Sequence, residues 1–326
     1  EMQQTVDRAA ERAADPENTL HAIRLKKRYG NVSAVKGVSF GVKPKSSFGL
    51  VGANGAGKTT TFGMLLGRVT KSSGIINFLG IEPSYLSNPF IEKKIAACFQ
   101  TNALWEDMTS ERHIDFFCEF LGARPGVARE LARYLEFEQN LYKSPSQLSS
   151  GNKRKLCMII ALLSNPSFMF FDEATTGVDL PIRLKLKQIF DSLSQINQTA
   201  SIHTTHFLKD IEIFCDTIGI MEKGQFYCVQ KVNNLKTEFG GYFVHFIPAD
   251  GVPHQEIEQA VSGFGEIKKR TELNDNGMLL VVRNVKDHIE LFQNLVELER
   301  SGKLKSFMYN QLSVEDIYVD IVGKRN

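Results

Sequence analysis

No stretch of this 326-residue chain holds the roughly 20 consecutive apolar residues that a membrane-spanning helix needs. The longest apolar run, around Leu156 to Leu163, is cut by Ser164, Asn165 and Pro166. No secretory signal opens the chain. Its first residue is Glu1 rather than Met, which reads as a piece of something longer. None of the five cysteines (Cys98, Cys118, Cys157, Cys215 and Cys228) pairs with another at C-x-x-C spacing, so reduced thiols in a cytosolic setting are expected. Neither sign of charge dominates, with 39 basic and 37 acidic residues and a net charge of +2, so there is no electrostatic case for a nucleic-acid partner. What remains is a globular mix, 42% hydrophobic and 23% charged, with room for roughly two domains.

Residues 1–19 are polar and rich in Ala, Glu and Arg, with a break at Asp15-Pro16, and read as a linker with some helix tendency. From Leu20 the pattern alternates like strands separated by turns. "SSFGLVG" reads as a short apolar strand, and "KTTTFGMLLGRV" as a helix with Phe62, Leu65, Leu66 and Val69 on one side. Residues 105–165 read as mostly helical, including "SERHIDFFCEFLGA" and "ELARYLEFEQNLY". "SFMFFDEA" is a strand of fully buried type, "TASIHTTHFLKDIEIFC" a strand leading into a helix, and "TIGIMEKGQFYCVQ" a hairpin about Lys223-Gly224. The last 88 or so residues run strand-helix-strand-strand-helix-strand, with a hairpin turn at "NDNG", a stop at Gly302 and a Ser313/Asp316 cap. That order suggests a small α+β ferredoxin-like module.

"GLVGANGAGKTTT", Gly49 to Thr61, spells G-x-x-x-x-G-K-T, the phosphate-binding loop, in its strand-loop-helix setting. Gly52, Gly55 and Gly57 supply permissive backbone, whose N–H groups point inward at an anion. Lys58 would bridge the terminal phosphates and the Thr59 hydroxyl would hold Mg²⁺; Asn54, Ala56 and Thr60 complete the cradle. A chance match in a Gly-rich turn would lack the flanking strand and helix. Bound Mg²⁺ calls for a carboxylate at the end of a buried strand, and Asp172 ends "FMFF" in that way. Glu173 follows, placed to polarise the water that attacks the γ-phosphate.

On these motifs the chain resembles the nucleotide-binding domain of an ATP-binding-cassette transporter, over roughly residues 20–238. The resemblance implies an α/β P-loop NTPase cassette, with a mixed sheet core and a helical subdomain at about 101–165. Residues 239–326 would then be a C-terminal regulatory-type domain. By the resemblance, Tyr29 stacks on adenine, and Gln100 in "CFQTNALWEDMT" contacts Mg²⁺ and water and faces the transmembrane part. "LSSGNKRKL" resembles the signature motif, with Ser149 and Gly151 contacting ATP held by a partner cassette. "DEATTGVD" carries a loop around Asp179, and His206 in "HTTHFLKD" matches the switch histidine that contacts the γ-phosphate. The wording of "SGNKRKL" and "DEATTGVD" is most similar to the A-subfamily, large transporters that mostly handle lipids and carry a small domain after each cassette.

Two departures stand out. Ser150 replaces the first signature glycine, adding a side chain where backbone should approach a phosphate, which bears on the partner's site rather than on this chain's own loop. Asn152, where glutamine is usual, is normal for the subfamily. Ala174 replaces a proline, with a small effect expected on loop stiffness. Other features take a plainer reading. His203 and His206 have no evident third ligand for a metal. The runs at Lys26–Arg28 and Lys268–Arg270 are solvated faces. Phe116, Phe117 and Phe120 are expected to be helix core, and Trp105 is either part of the surface that meets a coupling helix or an ordinary half-buried aromatic.

The resemblance implies an ATPase in which two cassettes, identical or different, close head to tail over two ATP molecules. It further implies attachment to the transmembrane domains of a parent transporter, on the cytosolic face of a membrane, with lipid as cargo. The alternatives are a non-catalytic ATP-gated module, favoured by Ser150, and a soluble cassette ATPase of the translation-factor or chromosome-maintenance kind. Lys58, Asp172, Glu173 and His206 together argue against the first, and the chain lacks the second cassette or long coiled coil of the other.

Overall fold

The computed structural model describes residues 13–81, 94–238, 242–261, 263–264, 266–268, 278–282 and 288–323. The chain divides into two compact units, the first ending at Lys231 and the second starting at Val232.

The first unit holds two sheets. A three-stranded antiparallel sheet, ordered β2-β1-β4, is made of β1 (Leu20–Tyr29), β2 (Val32–Val42) and β4 (Ser73–Phe78). The second has six strands: β3 (Ser47–Val51), β5 (Ile95–Cys98), β6 (Phe168–Asp172), β7 (Ala200–Thr205), β8 (Thr217–Glu222) and β9 (Gln225–Lys231). Its order is β5-β6-β7-β3-β8-β9, parallel except for the β8/β9 hairpin. Strands β3, β6 and β7 are buried on both faces, as central strands of a parallel sheet are; β3 and β6 are largely apolar, whereas β7 buries Ser201, His203, Thr204 and Thr205. The β8/β9 turn has left-handed backbone at Lys223 and Gly224, the conformation of a tight hairpin turn.

Helix α1 (Lys58–Leu65) follows β3 and buries Thr61, Phe62, Met64 and Leu65. It is shorter than the periodicity suggested: the chain leaves the helix at Leu66, and Gly67 is left-handed. Phe62 meets Phe170 edge-on at 5.6 Å, Phe78 meets Phe168 at 5.1 Å, and Phe40 stacks on Phe48 at 4.6 Å, so aromatic contacts join the two sheets and α1 into one core.

The helical segment consists of α2 (Ser110–Leu121), α3 (Pro125–Tyr134) and α4 (Ser150–Leu163), with short 3₁₀ turns at Glu138–Asn140 and Pro145–Gln147. Two expectations are corrected here. "ELARYLEFEQNLY" is not one helix, because α3 ends where Glu136 takes a left-handed backbone. Phe116 and Phe120 are not core: they stand 45% and 68% exposed on α2, in a surface strip with the half-exposed Trp105. Both positions fit a helical stripe, but α2 turns His113, Ile114 and Cys118 inward instead. Helices α5 (Leu180–Asn197) and α6 (Leu208–Phe214) flank β7. Among the described residues no helix is long and apolar enough to cross a membrane.

The second unit opens with α7 (Val232–Glu238) and continues β10 (Tyr242–Pro248), α8 (His254–Val261), β11 (Glu266–Lys268), β12 (Met278–Val282), α9 (His288–Arg300), β13 (Leu304–Gln311) and α10 (Val314–Gly323). Its antiparallel sheet has the order β11-β12-β10-β13, and Val244, Phe246, Ile257, Val261, Leu291, Leu295 and Leu304 form its core. Gly302 is left-handed after α9, and Ser313 with Asp316 forms a reciprocal cap on α10, Ser313 Oγ lying 2.6 Å from Asp316 Oδ2 and 3.2 Å from its backbone N–H. The "NDNG" turn, residues 269–270 of the second basic run and residues 1–12 of the expected linker lie outside the described residues.

His203 lies in the core of the first unit, stacked against Phe171 at 4.8 Å and Phe214 at 5.5 Å, with Nε2 2.9 Å from Ser201 Oγ. Burial pushes its pKa down from 6.5 to about 3. The unfolded chain therefore takes up this proton before the fold does. The associated stability is full above about pH 6.5 and is lost as pH falls toward 3, by up to about 1.4 kcal/mol per pH unit. In urea unfolding at pH 7 and pH 5, wild type should lose more stability on acidification than His203→Phe; equal losses would contradict this.

Candidate functional site: four strand ends at one sheet edge

The parallel order β5-β6-β7-β3 brings four strand ends to one edge of the sheet, where α/β folds bind ligands. Gly52 follows β3, Glu173 follows β6, His206 follows β7, and Gln100 lies two residues past β5. The residues therefore come together because their strands are neighbours.

In the loop after β3, Gly57 is left-handed (φ 102°), and a Cβ there would stand 2.6 Å from the Ala34 carbonyl, so only glycine fits. Lys58 is buried at the start of α1, and its Nζ donates to the carbonyls of Gly52 (2.7 Å) and Ala53 (3.1 Å). Burial lowers the Lys58 pKa, opposed by the nearby carboxylates of Glu173 and Asp172. Those two charges are thus within electrostatic reach of its ammonium. Thr59 is exposed beside it.

Asp172 closes β6, and one of its oxygens accepts from Thr204 Oγ1 on β7. Glu173 has a left-handed backbone (φ 47°), sparsely populated for a residue with a side chain, while its N–H donates to the Thr204 carbonyl at 2.9 Å. Gln100 Nε2 donates to Glu173 Oε2 at 3.3 Å, and His206 Nδ1 lies 3.0 Å from Glu173 Oε1. A carboxylate only accepts, so an ionised Glu173 fixes Nδ1–H as the donor.

Helix α4 starts at the expected signature. Ser149 caps it, its Oγ accepting from the Asn152 N–H at 3.3 Å. A Cβ on Gly151 would stand 2.4 Å from the Gly177 carbonyl, so the start of α4 lies against the turn between Glu173 and Asp179. Asp179 is the N-terminal cap residue of α5, and Tyr29 ends β1, half-exposed, with the Lys27 ammonium 4.8 Å from its ring centre. Among the described residues, no hydrogen bond or ion pair ties Tyr29, Ser149 or Asp179 to the Lys58 and Glu173 group.

Sequence reasoning missed Arg154. It is 5% exposed on α4, and its guanidinium donates to the carbonyls of Phe99 and, at 2.7 Å, Gln100. The backbone that presents Gln100 is thus pinned from the signature helix. Lying inside "NKRK", Arg154 gave no sign that it points inward while Lys153 and Lys155 do not.

A protein-family model described as ABC transporter matches residues 35–176. The linearmycin resistance ATP-binding protein LnrL of Bacillus subtilis is 31% identical over 239 residues, covering 72% of this chain and 76% of that protein. The chain belongs to the ABC transporter family. Within it, the cassette is the ATPase domain that binds and hydrolyses ATP. The cholesterol transporter ABCA5 of Mus musculus is 30% identical over 303 residues, 90% of this chain but 18% of that protein. The chain therefore spans about a fifth of the length of such relatives. Among solved structures, an ATP-binding subunit of an ABC transporter superposes with a TM-score of 0.60 at 24% identity, covering 68% of this chain and 93% of that one. A dimeric cassette in a post-hydrolysis state with ADP and Pi superposes at 0.58 and 21%, covering 65% and 98%.

Arg154→Met keeps most of the apolar stem and withdraws both donors. It should cost on the order of 1–3 kcal/mol in chemical denaturation and lower the ATP hydrolysis rate. Wild-type values for both would show that the Gln100 backbone is held by other contacts.

Proposed function

We propose that the cassette is one half of a head-to-tail pair that hydrolyses ATP to drive a membrane transporter, on the cytosolic face of the membrane, with lipid as cargo. The observation that carries this reading is the Glu173 carboxylate. Gln100 donates to one oxygen, His206 Nδ1 faces the other, and Asp172 and the Lys58 ammonium are close by.

In this reading Glu173 takes the proton of the attacking water. With Nδ1–H directed at Glu173, the His206 Nε2 is left to meet a γ-phosphate oxygen. Lys58 and the N–H groups of Gly52, Asn54, Gly55, Ala56, Gly57, Thr59 and Thr60 hold the phosphates. Tyr29 stacks on adenine. Ser149 and Gly151 act on the partner's nucleotide, and Asp179 is a further nucleotide contact.

The residues present suit Mg²⁺. Thr59 Oγ1, the Asp172 carboxylate and Gln100 Oε1 are all oxygens, and Gln100 has already committed its Nε2 to Glu173. When bound, Mg²⁺ supplies neutralisation of phosphate charge.

We assign residues 20–231 to the cassette, with its helical subdomain at about 101–165, and 232–326 to a ferredoxin-like domain of regulatory type, a boundary seven residues earlier than the sequence suggested because α7 belongs to the second compact unit. The strand order β11-β12-β10-β13, with α8 and α9 as the two connecting helices, supports that assignment. The exposed strip of Trp105, Phe116 and Phe120 is the face offered to the transmembrane part. Lipid as cargo follows the A-subfamily wording and the relatives named cholesterol transporters.

The test is Mg²⁺-dependent ATP hydrolysis against protein concentration, with Glu173→Gln as control. The expected result is a rate rising faster than linearly and falling on the order of 100-fold or more in the variant, whose ATP binding is retained. ATP binding without hydrolysis at any concentration would favour the non-catalytic module that Ser150 suggests. Normal turnover by Glu173→Gln would remove Glu173 from the mechanism.

A further inference from the structure

Asp210 is a buried carboxylate that the mechanism above does not use. It lies in the first turn of α6, 3% exposed, four residues after His206. One oxygen accepts from Thr175 Oγ1, and the other takes Arg183 Nη1 at 2.6 Å. Arg183, in the first turns of α5, also donates from Nε to the Val178 carbonyl at 2.8 Å. Thr175 and Val178 bracket the turn that leaves Glu173 and arrives at Asp179. A single ion pair therefore grips both shoulders of that turn and the helix that begins just after His206. A cavity of about 10 Å³, lined by Ala174, Thr175, His203, Thr205 and Asp210 among others, lies beside the pair.

Burial alone does not account for this arrangement. Desolvating a carboxylate and a guanidinium is costly, and apolar pairs of similar volume commonly stabilise as well or better. What such a pair adds is direction, because each hydrogen bond fixes a donor at one place. We propose that Asp210 is a positioning residue: through Thr175 and Arg183 it couples the 173–179 turn to the segment carrying His206, so that the Glu173–His206 contact and the Asp179 turn move as one body. The proposal rests on the catalytic reading of Glu173. It adds that a displacement of Asp179 is felt at the hydrolytic pair through this ion pair.

The first test is Thr175→Val, which keeps the shape and removes only the hydroxyl, with Thr175→Ser to restore it. The expected result for valine is a fall in kcat of about tenfold or more, in line with the sensitivity of catalysis to sub-ångström displacement. KM for ATP should stay within about twofold because the phosphate loop is untouched, and serine should recover most of kcat. A purely structural role would leave kcat unchanged once the protein is folded. The second variant is the charge-free pair Asp210→Leu/Arg183→Met, expected to melt near wild type yet hydrolyse as slowly as Thr175→Val. Recovery of both stability and kcat by that pair, or wild-type kcat in Thr175→Val, would overturn the proposal. Hydrogen exchange gives a readout that does not need turnover. In Thr175→Val, exchange should rise in residues 204–210 together with 173–179. A rise confined to 173–179 would overturn the coupling, even if wild type proved inactive and the catalytic reading had failed on its own test.

Discussion

Everything at this site depends on four parallel strands being neighbours. Side-by-side pairing of β5, β6, β7 and β3 sets their carboxyl ends in a row, and the residues just past each end then meet without long side-chain excursions. Gln100 and Glu173 are 73 positions apart, and His206 and Glu173 are 33 apart, yet both contacts span a single strand spacing. The left-handed backbone at Glu173 follows from the same constraint. Its N–H extends the β6/β7 ladder by one bond to the Thr204 carbonyl, while the chain must turn at once toward Gly177. An unusual backbone at a residue held this firmly is of the kind found at functional sites.

Around that row the fold adds two inward-turned arginines that hold backbone carbonyls, Arg154 buried and Arg183 partly buried and also paired with Asp210. Arg154 holds the carbonyls of Phe99 and Gln100, and Arg183 holds that of Val178. Each starts from a helix whose first turn lies at or near the expected partner-facing surface, α4 at Ser149 and α5 at Asp179. Two helices that begin at one surface are thus bolted to the loops that carry Gln100 and Glu173. In the proposed pair of cassettes, that would be a route by which closure at the expected signature reaches the carboxylate proposed for hydrolysis.

Much of this was legible in the sequence. The phosphate loop declared itself because its glycines, lysine and threonine each answer a local demand of anion binding, and the apolar run ending in Asp172-Glu173 declared a buried strand opening at a sheet edge. The paired carboxylate, glutamine and histidine were legible only as separate motif matches, since nothing local says that three strands will be adjacent. Arg154, Arg183 and Asp210 were not legible: a charged residue in a helix reads as solvated unless its neighbours in space are known. The aromatic strip failed for the converse reason. Phe116 and Phe120 have core-like spacing on α2, and only the packing of that helix shows that His113, Ile114 and Cys118 face inward instead.

In the proposed mechanism Gln100 and His206 act through one carboxylate. The most direct measurement is a double-mutant cycle of single-turnover ATP hydrolysis on Gln100→Ala, His206→Ala and the double variant, compared at saturating ATP with binding verified for each. Groups that act as a unit are strongly non-additive. The double variant should be slower than either single one by only a small factor, with the product of the single effects exceeding the double effect by about tenfold or more. Multiplicative effects would mean that the two side chains work independently, and that their shared contact with Glu173 is not what organises hydrolysis.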